Sequence, residues 1–155
     1  MLTDIDSANN LVELFLKRAD EKADQPFLGA KIDGSWQTLS WREAADQMCL
    51  LAENLRGLGL KDGDRVCLVS ENRPEWCISD LAIMAAGCIS VPAYTTNTER
   101  DHVHILDNSG AKAVIVSTEK LLRPLHGALQ ASGIAEHVIG IDDLHRQQSG
   151  SFTFH

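Results

Sequence analysis

Three short polar segments each follow an apolar run and hold the side chains best placed for chemistry. They are Glu71-Asn72-Arg73 after Val66 to Val69, Tyr94-Thr95-Thr96-Asn97 after Cys88 to Val91, and Ser117-Thr118 after Ala113 to Val116. If the apolar runs are parallel strands, these segments lie beyond their carboxyl ends, where open α/β sheets hold ligands. Carboxylate, amide, guanidinium and hydroxyl groups gathered there could line a cleft and bind a polar substrate. Helix initiation accounts for the first of these segments equally well.

Other chemistries lack their residues. No G-x-S-x-G turn offers an activated serine, and Gly57, Gly59 and Gly63 precede the first long apolar run without G-x-G-x-x-G spacing, so they read as turn glycines. His102 and His104 are two apart on an expected helix and point to different sides, with no cysteine or third histidine close in sequence, so solvated helix histidines are expected. Cys49, Cys67, Cys77 and Cys88 form no C-x-x-C pair and sit in apolar stretches; buried thiols are expected rather than zinc ligands or disulfides. On this reading no residue is catalytic, cofactor-binding or metal-ligating.

The positioning elements alternate. Asn10 to Lys22 has the apolar spacing of an amphipathic helix, and Phe27 to Ile32 and Ser35 to Leu39 flank Asp33-Gly34, a tight hairpin turn. Ser40-Trp41-Arg42-Glu43 is a capping box opening a helix that Gly57 and Gly59 end. Arg65 to Val69 is apolar without alternation, as expected of an interior strand covered on both faces. Pro74 suits a first helical position, and the helix it opens carries only Ser79 and Asp80 as polar residues between Trp76 and Ala86, which predicts burial all round. Gly87 stops that helix, and a strand over 88–91 ends at Pro92. Further helices from Thr98 to near Gly110 and from Thr118 through Leu129, with strands over 113–116 and 137–141, complete the pattern. It predicts a three-layer αβα fold with a mostly parallel sheet, preceded by a helix and a β-hairpin.

Bulk properties narrow the class. A chain of 155 residues with 44% hydrophobic content sustains one core. A net charge of −8, from 22 acidic and 14 basic residues without basic clusters, disfavours nucleic acid as a partner. The start Met1-Leu2-Thr3-Asp4-Ile5-Asp6 lacks the basic-then-apolar pattern of a secretory signal, and no run reaches the roughly 20 apolar residues of a membrane span; a cytoplasmic location is expected. Residues 1–144 read as one α/β unit. Residues 145–155 are mostly polar and read as a truncated connection to a missing remainder.

Several segments carry a family likeness: Gly63-Asp64-Arg65-Val66, Asn72-Arg73-Pro74-Glu75-Trp76, Ala86-Gly87, Val91-Pro92 and Asp107-Asn108-Ser109-Gly110-Ala111-Lys112. With them the chain resembles, over about residues 8 to 144, the N-terminal end of the adenylate-forming (AMP-binding) enzymes. Within them it looks most like a long-chain fatty acid-CoA ligase, on the Val91-Pro92-Ala93-Tyr94 form. The resemblance implies a parent enzyme that activates a fatty acid with ATP and Mg2+ to an acyl-adenylate and passes the acyl group to coenzyme A. The family's phosphate loop ending in Pro-Lys, its adenine- and ribose-binding segments and its catalytic lysine do not occur in these 155 residues. The resemblance therefore transfers no site residue, and the fragment is expected to be inactive and to bind none of those cofactors. Expected partners are the fatty acid and coenzyme A for the parent, for which a membrane-peripheral place is an open alternative, and the rest of the same polypeptide. A second copy of the chain is a further expected partner, since an all-apolar helix and an open sheet invite self-association. Tyr94 is expected to pack. The competing reading is a stand-alone, non-catalytic α/β assembly module.

Overall fold

The computed structural model describes residues 8–142 and the backbone of 151–153. The elements run α1 (Leu11–Lys22), β1 (Pro26–Ile32), β2 (Ser35–Ser40), α2 (Trp41–Gly57), β3 (Arg65–Val69), α3 (Pro74–Ala85), β4 (Ile89–Ala93), α4 (Glu99–Ser109), β5 (Ala113–Val116), α5 (Glu119–Ser132), β6 (His137–Gly140) and β7 (Ser151–Thr153).

Local chemistry sets their boundaries. The Ser40–Glu43 capping box is closed, with the Glu43 N–H donating to Ser40 Oγ at 3.2 Å and the Ser40 N–H donating to Glu43 Oε2 at 2.8 Å. Thr98 and Asp101 form a second box at α4. Asp33 and Gly34 both take positive φ, 49° and 83°, which is the hairpin turn their types predict. Phe15, Phe27 and Trp41 then stack together, Phe27 and Trp41 with centroids 3.9 Å apart, and fasten α1 and the hairpin to α2.

The main sheet is wholly parallel in the order β4-β3-β5-β6-β7, and the hairpin is a separate two-stranded sheet. β3 is interior, as its unbroken apolar run predicts. Val66 and Leu68 pack with α2 and α3, against Met48, Leu55, Ile78 and Ile83. Cys67 and Val69 face the opposite way, with Leu106 of α4 and Leu121 and Leu125 of α5. This is the three-layer αβα arrangement.

The amino end of the sheet explains two of the family-like segments. The Arg65 guanidinium donates to the carbonyls of Ser109 at 2.7 Å, Gly110 at 3.2 Å and Gly63 at 3.1 Å. Gly110 ends α4 in the left-handed region, at φ 61°. Asp64, buried beside it, accepts from the Lys61 N–H at 2.8 Å and pairs with Lys112 at 3.2 Å; these contacts, the backbone one foremost, hold its carboxyl below the usual range. Gly63-Asp64-Arg65 and Ser109-Gly110-Ala111-Lys112 are thus two halves of one clamp.

Several expectations need correction. α3 is not buried all round: Ile78, Ser79, Ala82 and Ile83 form a buried stripe, and the other sides are only half covered. The strand ending at Pro92 extends to Ala93, with Pro92 inside it opposite Leu68; β4 is an edge strand, where proline is tolerated. α5 continues past Leu129 to Ser132. Within 145–155, Ser151–Thr153 pairs with β6 as a fifth strand, while the rest of that segment lies outside the described residues. Of the four thiols, Cys67 and Cys88 are buried, but Cys49 is exposed and Cys77 half-buried, because neither falls on its helix's buried stripe.

His102 is also not solvated. It is 1% exposed, shares the inner face of α4 with Leu106, and its Nδ1 has no hydrogen-bond partner among the described residues. Burial disfavours the imidazolium and lowers its pKa, with the neighbouring Asp101 carboxylate working the other way. Below the ordinary value of about 6.5 the unfolded chain then binds more protons than the folded one, so stability falls as pH drops through that region and is flat above it. Paired carboxylates such as Asp64 and Asp101, whose pKa values are lowered, lose their contribution only below about pH 4.5. Urea midpoints between pH 5 and 7 should show the slope, and His102→Leu should remove it; an unchanged slope in that variant refutes the assignment.

Candidate functional site

Three of the candidate residues meet at the carboxyl edge of the parallel sheet. Ser117, fully buried after β5, donates its hydroxyl to the Glu71 carboxylate after β3. Its backbone joins both neighbouring strand ends: the Ser117 N–H donates to Val69 O at 3.0 Å, and Ser117 O accepts from the Asp142 N–H at 3.0 Å. Arg73 donates through Nε to Glu75 Oε2 at 2.8 Å and pairs through Nη1 with Asp142 Oδ1 at 3.0 Å. The cluster is therefore one continuous chain of contacts, from Glu71 through Ser117, Asp142 and Arg73 to Glu75.

Its electrostatics suit holding rather than proton transfer. Burial pushes Glu71 upward, but the Ser117 hydroxyl and the charges of Arg73 and Lys120 outweigh it, so its carboxyl lies below the usual range. Glu75 behaves alike, with burial overcome by Arg73. The Arg73 pKa is raised, chiefly by Glu75, and the guanidinium stays charged. Glu71, Glu75 and Arg73 are all shifted away from neutrality, where a general acid or base works best. Among the described residues no group of three or more His, Cys, Asp or Glu side chains could hold a metal ion. The thiols are no better suited, because burial raises all four and takes Cys67 to about 12.

The remaining candidates stay apart from this cluster. Asn72 is exposed, and Thr118 caps α5 by accepting the Leu121 N–H at 3.4 Å. Tyr94 does not pack as expected: it is 80% exposed, leading a turn in which the Asn97 N–H donates to Tyr94 O at 3.2 Å. Asp142, absent from the sequence-based candidates, is the residue that links Ser117 to Arg73. The strand-end rule that selects Glu71 and Ser117 selects it as well, once applied to the strand over 137–141. Arg73, Glu75 and Asp142 also border a groove of about 890 Å³ that runs along α2.

Known proteins place this arrangement. The AMP-binding enzyme family model matches residues 15–153. The long-chain-fatty-acid–CoA ligase FadD15 of Mycobacterium tuberculosis is 31% identical over 126 residues, covering 79% of this chain and 21% of that protein. The uncharacterized protein Rv1549 of the same organism is 30% identical over 142 residues, 91% of this chain and 77% of that one. In the solved structures, an anthranilate CoA ligase, AuaEII, in complex with anthranoyl-AMP superposes with a TM-score of 0.80 at 22% identity, over 91% of this chain and 26% of that chain. The chain thus spans about a fifth of the ligase FadD15, and the fold, the clamp at its amino end and the family match coincide in one α/β unit. This chain belongs to the AMP-binding enzyme family.

Proposed function

We propose that the chain is a scaffold segment of a long-chain fatty acid-CoA ligase. In this reading the complete enzyme activates a fatty acid with ATP, assisted by Mg2+, to an acyl-adenylate and transfers the acyl group to coenzyme A in the cytoplasm. The segment supplies part of the parallel sheet and two helical layers, and is inactive alone. The observation that carries the reading is the family match over nearly the whole described unit, together with a relative named as a long-chain ligase at 31% identity. The cluster at the strand ends agrees with a scaffold role, because its charged groups are already engaged, Glu71 by the Ser117 hydroxyl and Glu75 and Asp142 by Arg73. No helix among the described residues is long and apolar enough to cross a membrane.

The test is pyrophosphate release with ATP, Mg2+ and palmitate. The 155-residue chain alone should give the blank rate, and the complete enzyme a rate at least about 100-fold higher, since positioning and charge stabilisation together supply far more than that. Release by the chain alone, or no release by the complete enzyme with any long-chain acid, overturns the proposal. One observation favours a second reading, a stand-alone non-catalytic α/β module: the chain covers 77% of Rv1549, a relative of comparable length. Stable folding of the chain with no gain of activity in any completed form would favour that reading.

A further inference from the structure

An aspartate followed by glycine can rearrange without an enzyme, because glycine has no side chain to keep its backbone nitrogen from the preceding carboxyl. The chain contains two such pairs, Asp33-Gly34 and Asp62-Gly63. Their surroundings differ at the atoms that would react.

At Asp62-Gly63 the fold occupies the nucleophile. The Gly63 N–H donates to Gly87 O at 2.8 Å, and Gly63 O accepts from the Arg65 guanidinium at 3.1 Å. The Asp62 carboxylate lies 3.8 Å from Arg56, and the pair sits between the buried Leu60 and Asp64. At Asp33-Gly34 nothing is held. The Gly34 N–H has no acceptor and the Asp33 carboxylate no partner among the described residues. A Cβ added at Gly34 would meet no atom within 4 Å, so a ring forming there is unobstructed. Asp33 also stands at φ 49°, a region unfavourable for residues other than glycine.

Ring closure requires the Asp33 backbone to leave its hairpin conformation, and this hairpin opens at little cost. β1 and β2 form a sheet of their own, and two-stranded hairpins are marginal in water. Packing is concentrated at the base, where Phe27, Leu28, Leu39 and Trp41 join the core, while residues 31–38 are exposed. Opening of the tip therefore breaks few contacts. Opening at Asp62 must undo the bonds to Gly87 and Arg65.

We propose that Asp33 is a site of spontaneous isomerisation to isoaspartate, from which the fold protects Asp62. The Gly34 nitrogen attacks Asp33 Cγ; a C–N bond forms, the carboxyl C–O bond breaks and water leaves, giving a succinimide. Water then adds at the former main-chain carbonyl of Asp33 and breaks its bond to the Gly34 nitrogen. The only co-reactant is water, and the mass of the chain is unchanged. The backbone thereafter runs through the Asp33 side chain, which lengthens the two-residue turn that sets the Ile32–Ser35 pairing.

The folded 155-residue chain is kept in heavy-oxygen water at neutral pH, checked by circular dichroism, and digested with trypsin in ordinary water. Each ring opening leaves one heavy oxygen, read by mass in the peptides Ile32–Arg42 and Asp62–Arg65, and chromatography separates the isoaspartyl form. Label in Ile32–Arg42 should exceed that in Asp62–Arg65 by about ten-fold, which corresponds to about 1.4 kcal/mol in opening free energy. Asp33→Glu, whose ring would be one atom larger, should remove the label from Ile32–Arg42. In guanidinium chloride, where turn and clamp are both lost, the two peptides should label within about two-fold of each other. Equal label in the folded chain, more label at Asp62, or no label at either site overturns the proposal. A ten-fold bias that persists in guanidinium chloride also overturns it, since the bias would then belong to the neighbouring residue types and not to the fold.

Discussion

Arg65→Met should lower the stability of the chain by about 3 kcal/mol, read as a reduced urea midpoint. Its guanidinium makes three hydrogen bonds to carbonyls of Gly63, Ser109 and Gly110, and charge-assisted bonds of this kind contribute about 1.5–3 kcal/mol each where they are sheltered from water. Arg65 is half-buried and its bond to Gly63 is exposed, so only the two bonds to Ser109 and Gly110 count, each at about the low figure of 1.5 kcal/mol. The bonds join the start of β3 to the end of α4, so their loss should loosen α4 first and expose its last carbonyls. Arg65→Lys keeps the charge but not the planar fork, and should recover less than half of the loss. A midpoint within experimental error of the parent for Arg65→Met would show that the clamp contributes nothing to stability.

Leu68→Ala should be at least as costly, about 3–4 kcal/mol, because a buried leucine leaves both lost transfer energy and a cavity. Leu68 is fully buried in β3, paired with Pro92 on one side and Ile115 on the other, and packed under α2 and α3. Parallel strands covered on both faces have little freedom to collapse into such a void. Leu50→Ala supplies the contrast, since a half-exposed side chain at the groove wall should change stability by less than about 0.5 kcal/mol. If the two substitutions cost the same, the assignment of Leu68 to the core and Leu50 to a free wall is wrong.

Much of the fold was legible because it is fixed by near neighbours. The apolar run at Val66 to Val69, the capping box at Ser40 and the Asp33-Gly34 turn each declare their structure within a few residues. Residue type departs from burial at two positions. His102 counts as polar, yet it lies four residues before Leu106 on the inner face of α4, and that spacing was the available signal. Cys49 counts as apolar, yet it lies off the stripe formed by Ala45, Met48, Ala52 and Leu55. The strand-end cluster was half legible. Glu71, Arg73 and Ser117 were selected by position, but their engagement with one another and with Asp142 joins residues far apart in sequence and depends on the order of the strands. The exposed Tyr94 follows from nothing in its own segment, because Val91-Pro92-Ala93-Tyr94 reads the same whether or not another surface covers the ring.

Pro92 gives the sheet a direction of growth. The Ile89 N–H donates to Asp64 O on the β3 side, so the two-residue repeat turns the amides of positions 89, 91 and 93 inward and those of 90 and 92 outward. The donor that proline lacks is therefore one that would have faced an incoming strand. On that margin an extra chain would find the Ser90 N–H but no second outward donor within β4, which makes it a poor template for propagation. The opposite margin, at β7, carries no such block among the described residues. Strand addition by any neighbouring segment is thereby disfavoured at the β4 side.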